Sequence, residues 1–330
     1  MSQNKNQLAT TTGTGVALKN ASKSLRITNK LLAQVDDFEK DWQWWLGLKF
    51  EWKVYLLKHG LELKTIDYEW KRTTEVTGCI IRTIDTKFVI KKLEIDLLDK
   101  NVMRNLVERV VEISTLELPE DNKINDISPI AYLKNLEALE LKSNNVQDLS
   151  PLRNLKNIKK LNLDRNSSIS NFELLKNLKQ LTYLSLEGNS IRNIDFLKDL
   201  TNLTYLNISN NDISDISVLS NLKELRTLGI YTNDIVDISA LEKLDKLTEI
   251  ILLMNKIKDI SPLEKLICLE HLDLYNNEIE NITPLVNLHK LEFLDIQGNN
   301  LSDNDVRWLK KKIPFCKIPF SFEDDEDYLI

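Results

Sequence analysis

Apolar residues recur along most of this chain at fixed distances from a repeated asparagine. One block places Leu203, Leu206, Ile208, Asn211, Ile213, Ile216, Leu219 and Leu222 in the order L-x-x-L-x-L-x-x-N-x-I-x-x-I-x-x-L-x-x-L. The asparagine returns every 22 residues, with a single interval of 23, at Asn122, Asn144, Asn166, Asn189, Asn211, Asn233, Asn255, Asn277 and Asn299. A spacing kept over this many blocks indicates a tandem structural repeat.

The two halves of each block predict different local structures. The L-x-L alternation is typical of a short strand with one buried side. The apolar residues after the asparagine recur every third residue, which predicts a tight 3₁₀-like or extended return path. One such coil cannot cover both of its apolar sides, so we expect neighbouring coils to stack and their strands to form a parallel sheet. We expect the asparagine side chain to turn inward and bond backbone groups that the corner leaves unpaired.

Short segments after the asparagines are similar to those of a known family. NDISPI, QDLSPL, SDISVL, VDISAL, KDISPL and ENITPL resemble bacterial internalin-type leucine-rich repeats, a 22-residue class shared with the regulatory subunit of eukaryotic protein phosphatase 1. The resemblance covers residues 110–320 and implies an α/β solenoid with its parallel sheet on the concave face. It also implies protein binding. We expect neither the secretion signal nor the wall-anchoring tail of surface internalins, and NSSISNFELL contains one extra residue.

The rest of the chain divides around the repeats. The predicted order is a disordered terminus (1–15), a small, mainly helical N-terminal domain (16–88), the repeats (89–301, with a degenerate first repeat at 89–112), a C-terminal cap (302–320) and an acidic tail (321–330). In the cap, Ser302 and Asp305 predict a capping box that opens a short helix. Val306 and Leu309 of that helix can cover the last coil, and IPFCKI predicts a closing strand.

The N-terminal domain leaves two alternatives open. Residues 16–37 form an amphipathic pattern, which predicts a helix that docks on its own domain or that binds a partner or oligomerises. The segment DWQWWLGLKFEWKVYLLKHG holds four tryptophans, which favour a small aromatic core over a ligand site. The five consecutive acidic residues of the tail, Glu323 to Asp327, predict disorder or a short linear motif for a basic groove.

Charge, hydrophobicity and cysteine spacing limit the classes of partner and the compartment that we expect. The chain of 330 residues has a net charge of −6, and the residues after 100 hold 27 Lys and Arg against 37 Asp and Glu. Because such an acidic region repels phosphates, we expect no nucleic-acid partner. No signal-peptide segment and no run of 18 apolar residues occurs, so we expect a cytoplasmic protein without membrane contact, with export as an effector left open. Cys79, Cys268 and Cys316 lack metal-site or redox spacing, which favours a reducing compartment.

Chemistry-bearing motifs are scarce. His59, His271 and His289 are the only histidines, and the C-x-x-H spacing of Cys268 and His271 supplies two ligands where a zinc site needs four. No glycine-rich phosphate loop is present. We therefore expect no catalytic residue, metal or cofactor, and hence no enzyme. The alternative is a regulatory subunit or an enzyme with its activity in the N-terminal 100 residues.

The outward strand positions suggest where a protein partner of unknown identity binds. In the early repeats they are polar and expected to be solvated: Lys142, Lys160, Asn162, Asp164 and Arg165. The segment EIILLMN differs, because Ile250 and Leu252 point inward. Its neighbours must then face outward, and stacking adds aromatic residues beside them. The predicted partner-binding residues are Tyr205, Tyr231, Ile251, Leu253, Met254, His271, Tyr275 and Phe293, a composition typical of interface hot spots. The alternative is that the N-terminal domain or the tail covers them.

Overall fold

The computed structural model describes residues 113–118 and 124–319, together with short pieces between residues 40 and 84. The chain separates into two compact units, residues 1–111 and 112–330. Asn122, the helix predicted over 16–37, the degenerate repeat at 89–112 and the acidic tail lie outside the described residues.

The first unit contains a strand pair that the sequence did not predict. Strands β1 (Trp70–Arg72) and β2 (Arg82–Ile84) are antiparallel. Among its described residues, Trp45, Trp52 and Leu56 are buried, with exposed fractions of 0%, 5% and 0%.

The second unit is built on one parallel sheet of nine strands in chain order. The strands are β3 (Thr115–Glu117), β4 (Ala138–Glu140), β5 (Lys160–Asn162), β6 (Tyr183–Ser185), β7 (Tyr205–Asn207), β8 (Thr227–Gly229), β9 (Glu249–Ile251), β10 (His271–Asp273) and β11 (Phe293–Asp295). Each strand pairs with the next through its central apolar residue, as Leu206 does with Leu228. These central residues are almost completely buried, so the sheet covers the apolar interior of the stacked coils. The predicted leucine-rich solenoid is confirmed.

The return paths are short 3₁₀ segments: Ser128–Tyr132, Ser150–Asn154, Phe172–Asn177, Asp195–Asp199, Ser217–Asn221, Ser239–Leu241, Ser261–Leu263 and Thr283–Leu285. Before most of these segments, the side chain of an Asp or Asn two residues earlier accepts the backbone N–H of the first residue. Asp237 Oδ1, for example, accepts the backbone N–H of Ser239 at 2.7 Å. This local bond explains why Asp or Asn recurs two residues before the Ser or Thr that begins a return path, as in D-I-S and N-I-T. Phe172–Asn177, at six residues, lies in the block with the extra residue.

The repeated asparagines join each coil to the one before it. Asn166 is completely buried, and its Nδ2 donates to the carbonyls of Leu141, Leu163 and Asp164 at 3.0 Å each. Its Oδ1 accepts the N–H of Val146 at 3.1 Å. Leu141 and Val146 belong to the preceding coil, so one amide satisfies backbone groups of two coils. The same type of link occurs at Asn144, Asn166, Asn189, Asn211, Asn233, Asn255, Asn277 and Asn299.

The residue before each of these asparagines has a left-handed backbone. Gly188 and Gly298 fill this position with φ of 69°. Elsewhere it holds a side chain, at Ser143, Arg165, Asn210, Thr232, Met254 and Asn276, with φ between 51° and 56°. A left-handed conformation costs a non-glycine residue about 1–2 kcal/mol. The corner therefore carries strain wherever glycine is absent.

The C-terminal end of the array is closed by helix α1 (Asp303–Lys312). The capping box forms, with the Ser302 hydroxyl accepting the N–H of Asp305 and the Asp305 carboxylate accepting the N–H of Ser302 at 3.0 Å. Val306 and Leu309 are buried completely. Lys317 then pairs in parallel with Phe293, which extends the sheet by one bridge.

We expect Asn166→Ala to lower the free energy of unfolding by roughly 1 to 3 kcal/mol, because buried backbone groups of two coils lose their partners. Urea denaturation midpoints measure the effect. Asn154→Ala is the matched control, since Asn154 is exposed at the end of a return segment. Equal midpoints for the two variants would contradict the stabilising role of the asparagine link.

Thr232→Gly should raise stability by about 1 kcal/mol, because a β-branched residue is strained at the φ of 51° that Thr232 adopts. Thr227→Gly, five residues earlier in β8, should lower stability, because glycine weakens a strand. Melting temperatures that move in the same direction for both variants would show that the corner is not strained.

Candidate functional site on the concave face

The parallel register aligns the outward side chains of the concave face in columns. Column 1 contains Thr115, Ala138, Lys160, Tyr183, Tyr205, Thr227, Glu249, His271 and Phe293, and column 2 contains Glu117, Glu140, Asn162, Ser185, Asn207, Gly229, Ile251, Asp273 and Asp295. Column 3 lies two residues after each of the strands β4 to β11 and contains Lys142, Asp164, Glu187, Ser209, Tyr231, Leu253, Tyr275 and Gln297. Backbone bonds such as Thr232 N–H to the Leu253 carbonyl, at 2.9 Å, continue the pairing beyond the strands and keep column 3 aligned.

Four of the predicted residues form one apolar group, which we call the apolar patch: Ile251, Leu253, Met254 and Tyr275. Met254 and Tyr275 are 46% and 40% exposed, and Ile251 and Leu253 are half-buried. Met254 projects from the left-handed corner beside column 3. None of the four belongs to the interior of the coils, so their apolar surface is open to a ligand.

His271 and Phe293 flank the apolar patch in column 1. Their rings stack with centroids 4.5 Å apart and an interplanar angle of 12°. Both side chains are half-buried, so the stack holds the rings in one orientation on the concave face.

Tyr205, another of the predicted residues, lies in column 1 two strands before the apolar patch. It stacks on Tyr183 with ring centroids 4.2 Å apart and an interplanar angle of 8°. Burial, together with the neighbouring Tyr183 to which it is hydrogen-bonded, raises the pKa of Tyr205. Tyr183 was missed in the sequence, although it stands at the same repeat position one coil earlier.

Tyr231 lies next to Leu253 in column 3 and also interacts with Glu187. Burial and a hydrogen bond to Glu187 raise the pKa of Tyr231 to about 12. Glu187 lies two coils earlier in column 3, and the residue between them is the small Ser209. The side chain of Tyr231 therefore extends past Ser209 toward Glu187.

The early coils are not the row of solvated side chains that the sequence predicts. Asp164 is buried, with 7% exposed, and accepts the Ser185 hydroxyl at 2.6 Å and the Glu187 N–H at 2.8 Å. Burial raises the pKa of Asp164, and the charge of Glu187 adds to the effect. The expectation of an exposed Asp164 is wrong because the neighbouring coil covers its carboxylate.

A cleft of about 400 Å³ lies at the start of the sheet, over β3 to β6. Glu140 lines it, and burial raises the pKa of its carboxyl, with the charges of Asp164 and Glu117 contributing. Lys160 and Tyr183 also line this cleft. This half of the face therefore combines charges of both signs.

Gly229 marks the boundary between the polar and apolar halves. A Cβ at this position would lie 2.9 Å from Oδ1 of Asn207, which is too close for any side chain to fit without movement. Asn207 in turn donates from Nδ2 to Glu187 at 3.2 Å. The missing side chain at Gly229 in column 2 thus leaves room for the Asn207 amide.

Known structures carry the same repeat. An internalin from Listeria monocytogenes is 30% identical over 64% of this chain and 68% of its own, with a TM-score of 0.55. Internalin C2 from the same bacterium is 36% identical over 58% of this chain and 83% of its own, with a TM-score of 0.55. The chain belongs to the internalin-like leucine-rich repeat proteins.

Two further comparisons concern this internalin-like chain. The family model described as leucine-rich repeats in two copies matches residues 179–221, 201–243, 245–287 and 268–311. A leucine-rich repeat protein of Leptospira interrogans, 23% identical over 64% of this chain and 62% of its own, shares the fold with a TM-score of 0.55. No curated protein sequence matches the chain.

Potentially reactive groups of this internalin-like protein are dispersed. Burial raises the pKa of the Cys316 thiol to about 11, which disfavours the reactive thiolate. Within residues 113–118 and 124–319 and the shorter described pieces, no three His, Cys, Asp or Glu residues could hold a metal ion together.

No helix in the described part of the chain is long and apolar enough to cross a bilayer.

Asp164→Asn should stabilise the protein at pH 7 but not at pH 3. The folded state holds the Asp164 proton more tightly than the unfolded chain, so stability falls as pH rises above the usual value of 3.8. Asparagine removes this loss, because its oxygen can still accept from Ser185 and Glu187. Thermal unfolding at both pH values measures the difference.

Asp215→Asn serves as a control of opposite sign. Hydrogen bonds from Ser217 lower the pKa of Asp215, so its contribution to stability is present above 3.8 and lost as pH falls. This variant should lose stability at pH 7. An identical pH response of the two variants would refute the assignment of both carboxyls.

Proposed function

We propose that this protein is a binding scaffold that captures a partner protein on the concave face of its repeat array. The observation that carries the proposal is the apolar patch of Ile251, Leu253, Met254 and Tyr275. A monomeric soluble protein gains nothing from exposing clustered apolar side chains, whereas protein interfaces place such groups at their centre.

The surroundings of the apolar patch also support this function. Its residues stand on or beside strands whose backbone is bonded to both neighbouring coils. The Leu253 carbonyl accepts the N–H of Thr232 on one side, and the Met254 N–H donates to the Tyr275 carbonyl on the other. A surface held this firmly loses little conformational entropy when a partner binds. Polar residues border it, including Gln297 next to Tyr275 and Asp273 next to Ile251, as expected for the rim of an interface.

We also propose that the protein works in a reducing compartment. Cys268 and Cys316 are free thiols, which supports a reducing environment such as the cytoplasm. The similarity to Listeria internalins supports a bacterial source.

The double variant Leu253→Asp/Tyr275→Ala tests the binding site. The tagged full chain is used to capture partners from a lysate, and mass spectrometry compares them with those of the variant. We expect loss of the specific partner, since truncation of hot-spot residues costs on the order of 2 kcal/mol each. The melting temperature should change little, because both side chains are at least partly exposed.

Two controls keep this experiment specific. Ile267→Asp introduces the same charge at an apolar residue that is 59% exposed outside the three columns, and should leave binding intact. Lys142→Ala/Arg165→Ala alters the polar half and should weaken binding far less. Retention of the partner by the Leu253/Tyr275 variant, combined with its loss by the Lys142/Arg165 variant, would place the site on the polar half.

A further inference from the structure

Three carboxylates stand beside the apolar patch. Asp273 and Asp295 are partners in column 2, on strands spaced about 4.8 Å apart. Glu249 occupies column 1 next to His271. Asp273 follows Ile251 directly in its column, so negative charge and apolar surface form one continuous area.

Within the described residues, no Lys or Arg side chain pairs with these carboxylates, and their neighbouring ring is that of His271. Asp273 and Asp295 accept local backbone N–H groups there, of Tyr275 at 2.9 Å and of Gln297 at 3.0 Å. Among the described residues none of the three acidic groups lies in an ion pair. The three columns from β7 onward contain one Lys or Arg among their described residues. This is Lys317, which pairs with Phe293 at the edge of the sheet.

The polar half of the concave face differs. Glu187 lies 3.9 Å from the Arg165 guanidinium. Lys142 stands in column 3 with Asp164 and Glu187, and Lys160 lines the same cleft as Glu140. In the apolar half, Asp273 is half-buried, and burial and the charge of Asp295 raise its pKa. An external cation would relieve this unfavourable pair of like charges.

The neighbouring rings and aliphatic groups complete the match to a basic side chain. Lys and Arg carry a long apolar stem below the charged group, and such a stem packs well against Leu253 or Ile251. The ring of Phe293, stacked on His271, stands next to Asp295 and can attract a cation through its π face. Carboxylates and an aromatic ring thus stand together on the adjacent strands β10 and β11.

We propose that the partner presents a basic and apolar chain segment to this surface, with a Lys or Arg between Asp273 and Asp295 and apolar neighbours covering the apolar patch. This inference rests on the proposed function, because it specifies the chemistry of the partner bound there. Like charge disfavours the acidic stretch of this chain's own tail, Glu323 to Asp327, as the occupant.

A displayed library of random peptides, selected on the full-length protein, tests the proposal. We expect the selected peptides to be enriched in Lys or Arg next to apolar residues. The isosteric variant Asp273→Asn/Asp295→Asn should bind a selected peptide roughly tenfold or more weakly, because it loses the charged pair. Its affinity should also depend less on salt. Asparagine can keep the two local N–H bonds, so the fold is preserved.

Asp237→Asn/Asp259→Asn is the matched control, since both residues also accept a backbone N–H two positions along but lie on the return paths. It should bind the selected peptide like the parent protein. Selection of uncharged or acidic peptides, or of none, overturns the basic-segment inference, as does equal weakening by both Asp→Asn pairs.

The apolar-patch variant separates this inference from the proposed function. If Leu253→Asp/Tyr275→Ala abolishes peptide binding while Asp273→Asn/Asp295→Asn has no effect, the concave site stands and the charge inference fails. If Leu253→Asp/Tyr275→Ala binds the selected peptides normally, both the concave site and the inference fail.

Discussion

The structure depends on satisfying backbone hydrogen bonds where each coil turns sharply out of its strand. The turn leaves carbonyl and amide groups in an interior that water does not reach. A single buried amide, exemplified by Asn166, bonds three carbonyls and one N–H from two successive coils. Because the amide spans the junction, the solution for one coil also fixes the position of the next. The parallel sheet and its columns of side chains follow from this link.

Because the backbone repeats, the side chains of the concave face lie on a regular grid, and the residue type at each grid position can vary. The central residues of the strands must be apolar, whereas the side chains of the three columns do not pack inside the coils. The grid therefore holds a hydrogen-bonded polar half around Asp164 and an apolar half around Leu253, with Gly229 between them. Two surfaces of different character share one rigid support, and this arrangement suits selective recognition of a protein.

The sequence predicts the backbone better than the surface. The 22-residue period leads directly to the strands, the 3₁₀ returns and the inward asparagines, and alternation shows that Leu253 must face outward. It cannot show that Tyr231 leans toward Glu187 or that Tyr183 stacks on Tyr205, because these contacts depend on the size of side chains on neighbouring coils. Asp164 is buried for the same reason. The segment around β1 and β2 carries no such 22-residue repeat, and the pairing of these strands went unpredicted.

The left-handed corner before each asparagine has a consequence for how such an array can diversify. Glycine is the unstrained choice there, and two coils use it, at Gly188 and Gly298. The coil that carries Leu253 instead holds Met254 at this corner, where its side chain is exposed beside the apolar patch. Each corner is thus a point at which mutation can exchange a little stability for a new surface group. Because the coils contact mainly their neighbours, such an exchange stays local, and a lineage can alter its binding surface one coil at a time.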